Sequence, residues 1–303
     1  MDSNNPYFYQ VQLLIRILPL IAKEKCFALK GGTAINLFVR DLPRLSVDID
    51  LVYMPIDNRE TAIKNVKAAL NRIAEDIKAT LPNSKTLATY NNSDALRLIV
   101  EQKGVKIKIE LSPVLRSSVF PAVEMEVKAQ VEEKFGYAAI PVLALPDLYA
   151  GKICAALDRQ HPRDLFDIKL LLENEGFGND LRKTFLVYLI SHNRPISELI
   201  PPSRVDIKGI FQGEFLQMTQ IPVTVEQLED VRERLIEAIQ NGLTNEEKQF
   251  LLSFKAKKPD WTLLGLEGID KLPAVRWKML NLERMPKDKH EKALQALKEV
   301  LSL

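Results

Sequence analysis

Asp48 and Asp50 stand one residue apart in the apolar segment VDIDLVY, residues 47 to 53. Alternate side chains of an extended strand share a face, so the two carboxylates project together about 7 Å apart, while Val47, Ile49 and Leu51 turn to the core. The segment VKIKIEL repeats the pattern: Val105, Ile107, Ile109 and Leu111 point inward, and Lys106, Lys108 and Glu110 point outward. If the two strands are neighbours, Glu110 approaches the aspartate pair. Converging carboxylates repel unless a cation neutralises them, and Mg²⁺ is a hard ion that links carboxylates to substrate phosphates. The same donors allow two ions to flank an attacking and a leaving oxygen. An Asp-x-Asp on an amphipathic strand can equally be an ordinary solvated face, so the residues upstream matter. There, Gly31 and Gly32 open a helix. Their backbone N–H groups can cradle a phosphate, and Thr33 adds a hydroxyl donor. Phosphate cradle and carboxylate pair together suit a nucleoside triphosphate.

A second group lies in LPDLYAGKICAALDRQHPRDLFDIKLLL, residues 145 to 172. Helical spacing puts Tyr149, Lys152, Ala156 and Arg159 on one face. Pro162 opens the next helix, where Asp164 and Asp167 share a face and Arg163 can pair with Asp167 across one turn. Lys152 lies among alanine and isoleucine, where a solitary ammonium is costly unless it meets an anion. A triphosphate would serve, and a positioned lysine stabilises leaving groups in phosphoryl transfer. A structural ion-pair network between the two helices is the competing reading.

These side chains need elements to hold them. Helices are predicted over residues 7 to 24, 33 to 40 and 58 to 81, with strands at 26 to 30, 47 to 53, 85 to 90, 95 to 102 and 105 to 114. Another strand is expected between 124 and 145. From Pro146 nearly everything reads as helix: 146 to 159, 162 to 174, 178 to 191, 224 to 242, 246 to 256 and 288 to 302. The order indicates an α+β fold, divided into residues 1–145 and a helical domain of residues 146–303. An apolar share of 46% and a charged share of 27% are those of a folded chain, and a net charge of +2 supplies no global basic field for nucleic acid. Cys26 and Cys154 are far apart and no CxxC occurs, which disfavours a zinc site or disulfide and fits a cytoplasmic protein. The run VQLLIRILPLIAKE is too short and too interrupted to span a membrane, and the N-terminus lacks a signal-peptide pattern.

The stretch GGTAINLFVRDLPRLSVDIDL resembles the first motif of polymerase-beta-like nucleotidyltransferases, in particular the AbiEii/AbiGii toxin group of type IV toxin–antitoxin and abortive-infection systems. The resemblance implies a nucleotidyltransferase domain with a mixed sheet flanked by helices. In it Gly31, Gly32 and Thr33 match the phosphate-contacting element, and Asp48 and Asp50 match the ligands of Mg²⁺ or Mn²⁺. Arg44 and Ser46 match the Arg-x-Ser that leads into the catalytic strand. Glu110 stands where many superfamily members use an aspartate as a third carboxylate. A second family signature, Lys followed by Arg-x-x-x-Arg-Asp-x-x-Asp, is matched by Lys152, Arg159, Arg163, Asp164 and Asp167. It implies that Lys152 binds triphosphate and that Asp167, with Asp164, completes the site.

The implied activity is transfer of a nucleotide from a nucleoside triphosphate to an acceptor hydroxyl, by family analogy the tRNA 3′ end. An antitoxin encoded by a neighbouring gene is the implied partner, and growth arrest with phage defence the implied role. The alternatives are nucleotide transfer onto a protein, and a degenerate nucleotide-binding module that docks a partner. A C-terminal segment rich in lysine and arginine, from Lys255 through Lys278 to Lys289, is interleaved with Phe254, Trp261 and Trp277. It reads either as a nucleic-acid track or as solvated lysines around core tryptophans.

Overall fold

The computed structural model describes residues 5–90 and 96–302. The chain forms two compact units, Met1–Ala144 with Leu216–Pro222, and Leu145–Phe215 with Val223–Leu303.

The first unit begins with helix α1 (Phe8–Ile21), followed by strand β1 (Phe27–Lys30) and a short helix α2 (Gly31–Ala34) that widens into a π turn over Ile35–Val39. Then come β2 (Asp48–Tyr53), α3 (Arg59–Thr80), β3 (Lys85–Tyr90), β4 (Leu96–Gln102) and β5 (Val105–Leu111). Strand β6 (Val123–Glu126), helix α4 (Ala129–Phe135) and strand β7 (Ala139–Val142) complete it. The seven strands form one mixed sheet in the order β3-β4-β5-β2-β1-β7-β6. Strand β2 runs antiparallel to β1 and parallel to β5, and β1 runs parallel to β7. Between β4 and β5 the turn residues Lys103 and Gly104 both have positive φ, as a tight two-residue hairpin requires.

Local chemistry fixes these elements. Asn58 caps α3 by accepting from the Thr61 N–H at 2.9 Å. One apolar stripe of α3, including Val66, Leu70, Ile73 and Ile77, is buried, and the helix packs on β3 and β4. Helix α1 is apolar around most of its circumference and packs on β5, β7, α3 and α4. The strand faces divide as the alternation predicts. Ile49, Leu51, Ile107, Ile109 and Leu111 are buried, and Asp48, Asp50, Lys108 and Glu110 are only half-buried on the other face.

The second unit is helical: α5 (Leu145–Asp158), α6 (Pro162–Asn174), α7 (Asn179–Ser191) and the short α8 (Ile196–Leu199) and α9 (Lys208–Ile210). They are followed by α10 (Val225–Gly242), α11 (Asn245–Lys255), α12 (Pro273–Glu283) and α13 (Lys287–Leu301). Helix α5 packs against α6 and α7, α6 against α10, and α7 against α11 and α12. Capping boxes at Thr224/Gln227 and Thr244/Glu247 start α10 and α11. Trp261 stacks near Phe250 and Phe254, with ring centroids 5.8 and 6.1 Å away, as a core tryptophan would. Trp277 does not: its place on α12 leaves it 42% exposed, so the core expectation fails for it.

Candidate active site

In the first unit the glycine pair and the Asp-x-Asp strand are packed against each other. Gly31 has φ +74°, a left-handed conformation suited to glycine. A Cβ placed on it would meet Asp50 Oδ2 at 2.5 Å. On Gly32 a Cβ would meet the Arg44 guanidinium at 2.8 Å and Ser46 Oγ at 3.0 Å. Each glycine is therefore the absence of a side chain that makes room for one member of the downstream motif. Thr33 is buried; its hydroxyl contacts Ser46 Oγ at 3.0 Å and donates to the Asp48 carbonyl. The Asn36 side-chain amide donates to the Gly32 carbonyl at 2.9 Å, tying the π turn back to the glycine corner.

Arg44 lies fully inside the unit, where its guanidinium donates to its neighbour's carbonyl at Leu45 (2.9 Å). The loop that carries it is clamped by a segment distant in sequence. Leu45 N–H donates to the Met218 carbonyl at 2.7 Å and Gln220 N–H to the Pro43 carbonyl at 2.9 Å. The Gln220 amide reaches the Leu42 carbonyl at 2.7 Å, and Arg44 bridges to Thr219. No sequence signal marked residues 216–222 for this role, because pairing between distant segments leaves no local periodicity.

Strand register sets the electrostatics. Lys30 on β1, Asp50 on β2, Glu110 on β5 and Arg97 on β4 are direct cross-strand neighbours in one row. Glu110 does flank the pair, opposite Asp50. Its carboxylate is engaged, however: Arg97 Nε donates to Oε1 at 2.6 Å and Lys108 Nζ lies 3.0 Å from Oε2. Burial works against its charge, but the hydrogen bonds from Lys108 and Arg97 outweigh burial and hold its carboxyl below the ordinary range. Lys108 also approaches Asp48 Oδ1, at 3.9 Å. The repulsion expected among three carboxylates is thus relieved by the protein's own cations. Among the described residues no group of three or more His, Cys, Asp or Glu side chains is arranged to hold a metal ion. The donor set that fits a hard divalent ion is Asp48 and Asp50, paired oxygen donors on one strand face, with Asp48 40% exposed.

In the second unit the second motif closes on itself. Lys152 Nζ, from α5, lies 2.8 Å from Asp164 Oδ1 and 3.0 Å from Asp167 Oδ2, both on α6. Arg159 forks onto Asp164, at 2.6 Å from Nε and 3.1 Å from Nη2. Both aspartates have no exposed side-chain surface and Lys152 has 7%, whereas Arg159 keeps 57%. Burial penalises the Asp164 charge, but Lys152 and Arg159 overcome that and hold its carboxyl far below the usual carboxylate range. The solitary ammonium does meet an anion, and that anion is supplied by α6. The expected Arg163–Asp167 pair does not form, because Asp167 belongs to Lys152; Arg163 instead reaches toward Glu214 at 3.9 Å. Sequence reasoning missed His161, which caps α6 by accepting from the Arg163 N–H at 3.1 Å while its Nε2 contacts Glu214 at 3.2 Å.

A family model described as nucleotidyl transferase AbiEii toxin, type IV TA system, matches residues 12–281. The chain belongs to that family. It is accordingly a nucleotidyltransferase-family enzyme and a toxin of the type IV toxin–antitoxin class. A search of curated proteins gives no match. Among solved structures the AbiEii-family chain is similar to MenT4, a nucleotidyltransferase toxin from Mycobacterium tuberculosis H37Rv. The TM-score is 0.63 at 14% identity, with 98% of this chain and 95% of that chain covered. The α+β expectation, with a mixed seven-stranded sheet followed by a mostly helical part, holds. No helix among the described residues is long and apolar enough to cross a membrane.

Proposed function

We propose that this toxin transfers a nucleoside monophosphate from a nucleoside triphosphate to an acceptor hydroxyl, with the tRNA 3′ end as acceptor and pyrophosphate as the leaving group. The observation that carries the reading is the packing of Gly31 on Asp50 and of Gly32 on Arg44 and Ser46. It joins the glycine corner and the carboxylate pair into one structure, as the use of both on one triphosphate requires.

Asp48 and Asp50 would hold Mg²⁺ or Mn²⁺, which when bound supplies neutralisation of phosphate charge and activation of the attacking oxygen. Gly31, Gly32 and Thr33 present the corner to phosphate oxygens. Arg44 and Ser46 act from beneath, holding the corner against β2. Glu110 would have to release Arg97 and Lys108 to join the metal ligands, so its role in this reading is to keep those two cations beside Asp50 and Asp48. In the second unit Asp164, itself held by Lys152, fixes Arg159, whose guanidinium stays exposed and can meet an anion. Arg163, on α6, would add a further cation.

The experiment incubates the protein with radiolabelled nucleoside triphosphates, Mg²⁺ and total cell RNA and protein. The expected product is end-labelled RNA of tRNA size, reduced on the order of 10³-fold in Asp48→Asn and Asp50→Asn. Label in protein would replace the acceptor with a polypeptide. Triphosphate binding without labelling of any polymer would make the chain a nucleotide-dependent docking module.

A further inference from the structure

Four helices of the second unit bring basic groups together. Lys255 is the last residue of α11, Lys278 lies within α12, and Lys289 and His290 are in the first turn of α13. The Lys278 ammonium donates to the carbonyl of His192, which ends α7. His290 Nε2 donates to the Lys255 carbonyl at 2.7 Å, fastening α13 to α11. Lys278 and Lys255 repel one another, as do Lys255 and Lys289. None of the three lysines has an ion-pair partner among the described residues. Asp158, which faces His192 at 3.7 Å, is taken by Arg194 at 2.9 Å.

Cations gathered on a partly buried surface are held at a cost that an arriving anion removes. Burial, and then the neighbouring Lys255, push the Lys278 ammonium down to about 8. Burial and then Lys289 lower Lys255 in the same way. Next to Lys278 in sequence, Trp277 is 42% exposed, as is Leu280 three residues on along α12, with Arg276 exposed on the same helix and Arg284 exposed just past its end. An aromatic ring left in water among cations suits a ligand with both phosphates and flat bases.

We propose that Lys255, Lys278 and Lys289 form a binding site for the phosphodiester backbone of an RNA, with Trp277 as a platform on which an unpaired base stacks. This rests on the acceptor being RNA, and places the hold on that acceptor outside the nucleotide-transfer motifs. Each backbone contact to a single strand contributes about 0.7 of a decade in affinity per decade of salt, so three contacts are worth about 100-fold at 0.1 M.

The test is fluorescence anisotropy with a labelled RNA hairpin bearing a single-stranded 3′ end. Proteins compared are the wild type, a Lys255→Gln/Lys278→Gln/Lys289→Gln variant and the matching triple arginine variant. Triphosphate binding and thermal melting are measured alongside. The proposal expects the glutamine variant to lose about 100-fold in RNA affinity, with the salt slope smaller by about 2, at unchanged triphosphate binding. It expects the arginine variant to keep both. If the buried positions prevent folding, Lys289→Gln alone, at an exposed site, is expected to weaken binding about 5-fold. Quenching of Trp277 fluorescence by RNA, absent in Trp277→Leu, is the companion readout. Unchanged RNA affinity and slope in the glutamine variant overturn the proposal, as does equal displacement of RNA by inorganic phosphate at stoichiometric concentration. If the wild type binds no RNA but still labels a protein from triphosphate, this inference falls while nucleotide transfer stands.

Discussion

Gly31→Ala separates geometry from general strain. Two effects act at this position. The first is the backbone: at φ +74° an alanine costs about 1–2 kcal/mol relative to glycine. The second is contact, since a Cβ would lie 2.5 Å from Asp50 Oδ2 and 3.3 Å from Asp50 Cβ. The carboxylate is the far end of a rotatable side chain, so it yields and the fold survives. To reach an ordinary 3.4 Å contact it must retreat by about 0.9 Å. A displacement near 1 Å of a positioned group costs on the order of 10²-fold in rate. Gly104→Ala is the matched control, because Gly104 has φ +78° and nothing within 4 Å of an added Cβ. Both variants are expected to lose similar stability in urea denaturation, about 1–2 kcal/mol. Only Gly31→Ala should lose nucleotide transfer, on the order of 10²-fold, together with a weaker Mg²⁺ dependence. Equal activity in the two alanine variants would refute the link between the glycine corner and Asp50.

Four further outcomes follow from charge placement. Asp50→Asn removes one of two carboxylates that face each other across β2 and β5, whose repulsion Lys30, Arg97 and Lys108 already relieve, so it is expected to change stability by less than about 0.5 kcal/mol in chemical denaturation while reducing transfer on the order of 10³-fold. Lys152→Met removes the ammonium shared by two buried aspartates and should destabilise the helical unit by about 3–5 kcal/mol, with Lys152→Met/Asp167→Leu recovering part of the loss. The Asp164 carboxyl is held below its ordinary 3.8, so its contribution is complete above that value and is lost as pH falls further; Asp164→Asn should flatten acid unfolding in that range. Lys278 gives a slope of the same sign, but at alkaline pH. Its folded value is lowered from 10.5 to about 8, so the unfolded chain binds more protons between these values and stability should rise with pH across that window, an increase absent in Lys278→Met.

The two strands that carry carboxylates were legible because alternation is local: Ile49, Leu51, Ile107 and Ile109 are buried as their spacing required. Their adjacency was left as a condition, because parallel pairing of β2 with β5 depends on the whole sheet. The identity of the charges was legible too, but their partners were not. Arg97 was unremarkable in sequence and became Glu110's partner only through the β4–β5 register. Helix α12 was passed over, since its leucines, methionine and tryptophan are scattered around the axis and three of its buried residues are near its ends. Between residues 124 and 145 one strand is expected, whereas the structure has most of β6, then α4 and β7; β6 and α4 escape notice because each is short and neither shows a full period. The π turn of Ile35–Val39 follows a good helical pattern and departs from it only through the Arg40 N–H bond to the Ile35 carbonyl at 2.7 Å.

Apart from Arg44 beneath the glycine corner and Arg163 on α6, both candidate groups carry balanced fixed charge, and this constrains how the proposed triphosphate can bind. On the strand face Lys30, Arg97 and Lys108 stand against Asp48, Asp50 and Glu110. On the helices Lys152 and Arg159 stand against Asp164 and Asp167. A site with so little net positive charge does not hold a polyanion strongly in its own right. The divalent ion must then accompany the nucleotide, and the two affinities are linked reciprocally. Isothermal titration in EDTA and in Mg²⁺ is expected to show triphosphate binding weakened without the ion, by on the order of 100-fold. Mg²⁺ alone should bind poorly, with the same factor separating its affinity with and without nucleotide. In Asp48→Asn the factor should shrink toward one, because removing one carboxylate weakens the ion's hold and leaves Lys108 less opposed. Triphosphate binding as tight in EDTA as in Mg²⁺ would show that the lysines and arginines of these groups are released for the ligand, and that the balance of charge does not govern the site.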